Sequence, residues 1–121
     1  MLFNKKLKLL IVSVLLSFSN VFADSLVDGS VEAGKSISIT GGACHGLDGN
    51  SINPLWPNLA GQHASYSVEQ LKAFRDGKRV NELMTAMAIN LTDQNIKDLS
   101  VYYESLPITP KLVADESTIE L

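Results

Sequence analysis

Cysteine is almost missing from this chain of 121 residues: Cys44 stands alone, so no intrachain disulfide can staple the fold. Aromatic residues reach only 7% and charged residues 19%. Ten basic residues face thirteen acidic ones, and a formal charge of −3 leaves no electropositive footprint for nucleic acid. Long apolar runs are missing apart from one near the N-terminus, which excludes a multi-spanning membrane protein. There is no nucleophile elbow, no P-loop, no carboxylate pair in a cleft motif and no C-x-x-C pair, so the common hydrolase, nucleotide-binding and thiol-redox signatures are all lacking. What remains is an ordinary globular balance, 45% hydrophobic, sized for one small domain.

The N-terminus reads as a secretory signal peptide over residues 1–23. Lys5, Lys6 and Lys8 precede an apolar run from Leu9 to Leu16, and Val21-Phe22-Ala23 offers a cleavage site. The competing reading, an uncleaved anchor, needs a longer apolar core than this one. Cleavage after Ala23 leaves seven basic residues against thirteen acidic ones, a charge of −6. The expectation is an exported, acidic protein with no stable membrane insertion after cleavage. A domain this small commonly needs a disulfide, a metal or a cofactor. With the disulfide excluded, the expectation shifts to a cofactor.

The pattern of the remaining chain is helical. Residues 24–29 form a polar leader. Ser30 is a fair N-cap for a short helix carrying Val31, Ala33, Gly34 and Ile37, although 36–40 also alternates as a strand would. Residues 41–65 are rich in glycine and proline and read as a loop, long enough to require something to hold it. Ser67 and Gln70 fit a capping box, with Val68, Leu71 and Phe74 on one face and Gly77 at the end. Thr92 caps the clearest helix, in which Ile96, Leu99, Tyr102, Tyr103 and Leu106 recur at helical spacing until Pro107. Residues 107–121 read as an acidic, flexible tail. No strand is expected with any force, and the fold class is all-α.

The chemistry sits in Gly41-Gly42-Ala43-Cys44-His45-Gly46. C-x-x-C-H is the attachment signature of c-type haem, and its second half, Cys44-His45, is intact while Gly41 stands at the first cysteine position. A lone Cys-His pair is weak evidence by itself. Met84 and Met87, three residues apart, fit ordinary core methionines as well as ligands. His63 reads as a solvated loop residue, and Tyr102 and Tyr103 as packing residues. Lys78-Arg79 reads either as a solvated face or as a docking patch.

The surroundings resemble a known family. Residues 40–51, then Asn53-Pro54-Leu55-Trp56-Pro57-Asn58-Leu59-Ala60-Gly61-Gln62, resemble the haem-attachment region of bacterial class I cytochromes c. Tyr66, Gln70, Leu71, Phe74, Gly77-Lys78-Arg79, Met84 through Asp93, and Leu99 through Tyr103 extend the likeness over residues 30–106. It is nearest to the periplasmic branch that includes the di-haem cytochromes and their single-domain relatives.

The resemblance implies a class I cytochrome c-like fold, with short helices around a haem and crossing N- and C-terminal helices. It implies that His45 is the proximal axial ligand, Cys44 the second thioether cysteine and Met84 the distal ligand, with Met87 as the competitor. Pro57 matches the proline whose carbonyl accepts from the proximal histidine. Trp56, Leu59 and Tyr66 match haem-pocket residues, and Gly34 the glycine at the helix crossing. Six-coordinate His/Met iron favours electron transfer over oxygen or peroxide chemistry. The implied function is that of a non-enzymatic, mono-haem electron carrier between larger redox proteins, attached through Cys44 only.

Gly41 departs from the pattern and leaves three readings. Haem is held by one thioether; or haem is lost and the chain is a degenerate, haem-free interaction module; or glycine is an allele or sequence error. Retention of Cys44, His45, Pro57 and Met84 argues against long decay. A lone thiol in an oxidising compartment invites intermolecular pairing, which a thioether at Cys44 prevents.

Overall fold

The computed structural model of the chain describes residues 26–110. The expected signal peptide over 1–23 and residues 111–121 of the expected tail lie outside the described residues. The described part is all-helical, without a strand: α1 is Val31–Ile37, α2 Ile39–His45, α3 Ala64–Arg75, α4 Glu82–Ala88 and α5 Asp93–Ser105. No helix among the described residues is long and apolar enough to cross a membrane.

The frame is α1 crossed on α5, with α3 against the same helix. The crossing depends on Gly34. A Cβ on Gly34 would overlap the Asp98 carbonyl and stand 2.7 Å from the Tyr102 Cβ, so only glycine lets the two backbones meet. Ser30 caps α1 by accepting from the Ala33 N–H, as expected. Its own N–H donates to the buried Asp98 carboxylate at 2.7 Å, and Gln94 Nε2 donates to the same oxygen at 2.9 Å. A buried carboxylate is tolerable there because donors satisfy it.

Helix α5 follows its sequence closely. Thr92 accepts from the Asn95 N–H and Asn95 reaches back, closing a capping box. Its buried face, with Ile96, Leu99, Tyr102 and Tyr103, builds the core, on which Ile37, Leu59, Leu71, Leu91 and Leu106 pack. Leu106 is extended, as a residue before proline must be, and the helix ends.

Three expectations are corrected. The segment from 41 does not start as a loop: α2 runs to His45, joined to α1 at Ser38. The Ser38 N–H donates to Gly34 O at 2.9 Å and the Gly42 N–H to Ser38 O at 2.8 Å, so helical pairing continues through the glycines and the strand alternative for 36–40 falls. Ser67 is not a cap. Helix α3 starts at Ala64, whose N–H is taken by the Glu104 carboxylate from α5 at 2.9 Å, and a long-range acceptor therefore replaces the local box. The tail does not fray from its first residues: Asn50 binds Pro107 O and the Thr109 N–H at 3.2 and 3.0 Å.

Candidate functional site

The site forms where α2 ends. His45 is the last residue of α2 and Gly46 follows at φ +83°, a left-handed turn that lets the chain leave the helix abruptly. Residues 46–62 then wrap back without regular structure. Ser51 is the hub: its buried hydroxyl lies 3.2 Å from Cys44 O and 3.0 Å from Asn53 O, and its N–H donates to Asn58 Oδ1 at 2.8 Å. Gly49 O accepts from both Leu59 and Ala60 N–H, at 2.8 and 3.0 Å, and the Gly61 N–H donates to Tyr103 O at 2.8 Å. These bonds hold the long segment that composition alone left unsupported.

The wrap delivers Pro57 to His45. The imidazole is 7% exposed, and its Nδ1 lies 2.8 Å from Pro57 O. A carbonyl only accepts, so Nδ1 carries the proton. In the neutral ring that leaves Nε2 as the basic nitrogen, with its lone pair free for a metal. Cys44, next to it, is half-buried.

Other expected residues are placed less tightly. Leu59 joins the core beneath Tyr102 and Tyr103. Trp56 is half-buried, and its N–H closes a turn on Asn53 O at 3.1 Å. Tyr66 sits on the first turn of α3, 49% exposed. Met84 and Met87 both lie on α4, which Asn81 caps by accepting from the Met84 N–H at 2.9 Å. Met84 is half-buried, whereas Met87 is 44% exposed. His63 is exposed, as expected, and its Nδ1 lies 3.7 Å from Glu104. Arg79 folds back over the Phe74 ring, 4.6 Å from its centre, and donates to Gln70 at 2.6 Å.

Residues 31–107 match the family model described as cytochrome c. The chain belongs to the cytochrome c family. It is 56% identical over 68 residues to cytochrome c4 of Thiocapsa roseopersicina, an alignment covering 56% of this chain and 35% of that protein. It is 45% identical over 80 residues to cytochrome c-554(548) of Halomonas halodenitrificans, covering 64% of this chain and 96% of that protein. Among solved structures, cytochrome c4 of Acidithiobacillus ferrooxidans superposes with a TM-score of 0.60 at 37% identity, covering 66% of this chain and 52% of that one. The chain therefore resembles one domain of a cytochrome c4 and spans about a third to a half of those proteins. It is a bacterial class I c-type cytochrome by family and fold.

The site residues missed from the sequence are Ser51, Asn50, Asn58 and Gly49. Their signal was present, since Asn, Ser and Gly are the residues that bond loops internally, but their partners lie in distant segments.

Proposed function

We propose that this cytochrome is a mono-haem, periplasmic electron-transfer protein whose haem is held by one thioether at Cys44 and by His45 and Met84. The observation that carries the reading is the His45–Pro57 hydrogen bond, which fixes the ring in the tautomer a metal ligand needs. The donor set fits haem iron: an imidazole nitrogen, a half-buried thioether sulfur and an adjacent thiol. When bound, haem supplies a one-electron iron couple.

The chain's own residues do the rest. His45 would bind through Nε2, while Pro57 O accepts the hydrogen bond from Nδ1 and orients the ring. Ser51 fixes the carbonyl of Cys44 and so the thiol beside it. Met84, on a helix capped by Asn81, would be the second protein ligand, and a His/Met donor set favours electron transfer over oxygen or peroxide chemistry. Met87 is the weaker ligand candidate because it is turned further into solvent. Trp56, Leu59 and Tyr66 line the pocket in this reading. The charge of −6 after signal cleavage favours larger redox partners that present a basic patch, with association rates that fall as salt rises. It disfavours nucleic acid.

A pyridine haemochrome spectrum, taken before and after acidified-acetone extraction, tests this. The expected result is an α-band between the b-type and doubly attached c-type positions, on haem that resists extraction. A purified protein without Soret absorbance, after expression with intact maturation machinery, contradicts the proposal.

A further inference from the structure

Gly41 lies three residues before Cys44, one helical turn away on the same side of α2. A Cβ built there would stand 3.1 Å from the Tyr103 hydroxyl oxygen, inside ordinary van der Waals contact, and would meet nothing else within 4 Å. A cysteine carries the same Cβ, so it meets the same crowding at that carbon, and the Tyr103 hydroxyl must move by a few tenths of an ångström to admit it. Tyr103 is poorly placed to yield. It is 7% exposed, packs with Leu99 and Tyr102, and lies with its ring 5.3 Å from the Tyr102 ring. Its carbonyl holds the Gly61 N–H at 2.8 Å, which ties its backbone to the end of the wrap. Its hydroxyl is buried and has no hydrogen-bond partner among the described residues, so a local bond does not explain it. Burial, with Tyr102 beside it, pushes the phenol up to about 12, so the group acts by bulk and not by charge.

We infer that Tyr103 is a positioning residue for haem attachment: its hydroxyl crowds the Cβ of any side chain at position 41, so Gly41 and Tyr103 form a matched pair that resists a second attachment point one turn before Cys44. The inference rests on the haem binding proposed above. It assigns the block to the hydroxyl, so phenylalanine at 103 should lift it.

The test is attachment stoichiometry in the purified full chain, read from the haemochrome α-band and the mass of the haem peptide. Gly41→Cys alone should keep the wild-type band and one thioether, with less haem-loaded protein. Gly41→Cys combined with Tyr103→Phe should move the band to the doubly attached position. Tyr103→Phe alone should keep one thioether. A second cycle uses the smallest side chain: Gly41→Ala should destabilise the wild type but not the Tyr103→Phe background. Their coupling should be about tenfold in the unfolding equilibrium constant, as for residues in contact. This cycle decides the packing claim even if the cysteine variants fail to fold. Two thioethers in full yield from Gly41→Cys alone, or an Ala/Phe cycle without coupling, overturns the inference while the proposed function stands. A wild-type chain with no haem overturns both.

Discussion

The two sides of this molecule are held by different forces. The α1–α5 crossing is a packed frame: Gly34 brings the backbones into contact, and Ile96, Leu99, Tyr102 and Tyr103 are buried. The site side, from Cys44 through the wrap to α4, is held by hydrogen bonds centred on Ser51, Gly49 and Asn50. There Leu47, Ile52, Leu55, Leu83 and Ile89 are all exposed. Frame stability is thus supplied by chain-on-chain burial, at about 25 cal/mol per Å² of apolar surface. Local geometry on the site side is supplied by polar bonds worth about 1 kcal/mol each.

Substitutions in the two regions should have distinct signatures. Gly34→Val should have the largest effect, because its Cβ falls on the Asp98 carbonyl. A loss of about 4 kcal/mol in denaturant unfolding is expected, affecting the whole domain in one transition. Ser51→Ala removes the buried hydroxyl beneath Cys44 and should cost about 2 kcal/mol, the range for leaving buried polar groups unsatisfied. Its signature is local: amide exchange should quicken across residues 49–60 while α5 stays protected. Thr92→Ala takes away one half of the α5 capping box and should cost about 1 kcal/mol, with no change in the haem spectrum.

The smallest effect at neutral pH concerns Tyr103, which belongs to both regions. Its folded-state pKa is raised to about 12 against 10 for an ordinary tyrosine, so the unfolded chain ionises first. Its contribution is therefore complete below pH 10 and is lost as the pH rises through 12. The unfolding midpoint should fall over that window in the wild type, and the Tyr103→Phe variant should follow a flatter curve.

The frame was the more legible region in the sequence. Thr92, the spacing of Ile96, Leu99, Tyr102 and Tyr103, and Pro107 are local signals, and α5 obeys them. Gly34 was legible only through the family resemblance, since its partner Asp98 is far along the chain. Helix α2 was hidden because Gly41 and Gly42 are poor helix formers, and continuation from α1 through Ser38 outweighs their propensity. The start of α3 was misread because its first free N–H is taken by Glu104, an acceptor that no local pattern reveals. At the site, His45, Pro57 and the bond between them were expected from the resemblance alone, and the structure contains that bond at 2.8 Å. The closeness of Gly41 and Tyr103 joins residues 62 positions apart and has no local signature at all.

The most direct measurement is the intact mass of the purified protein under denaturing conditions, for the wild type and for Cys44→Ala. The account predicts that the wild type carries one haem through denaturation and that Cys44→Ala carries none. A wild-type chain that sheds its haem on denaturation, or a Cys44→Ala chain that retains it, would contradict attachment through Cys44.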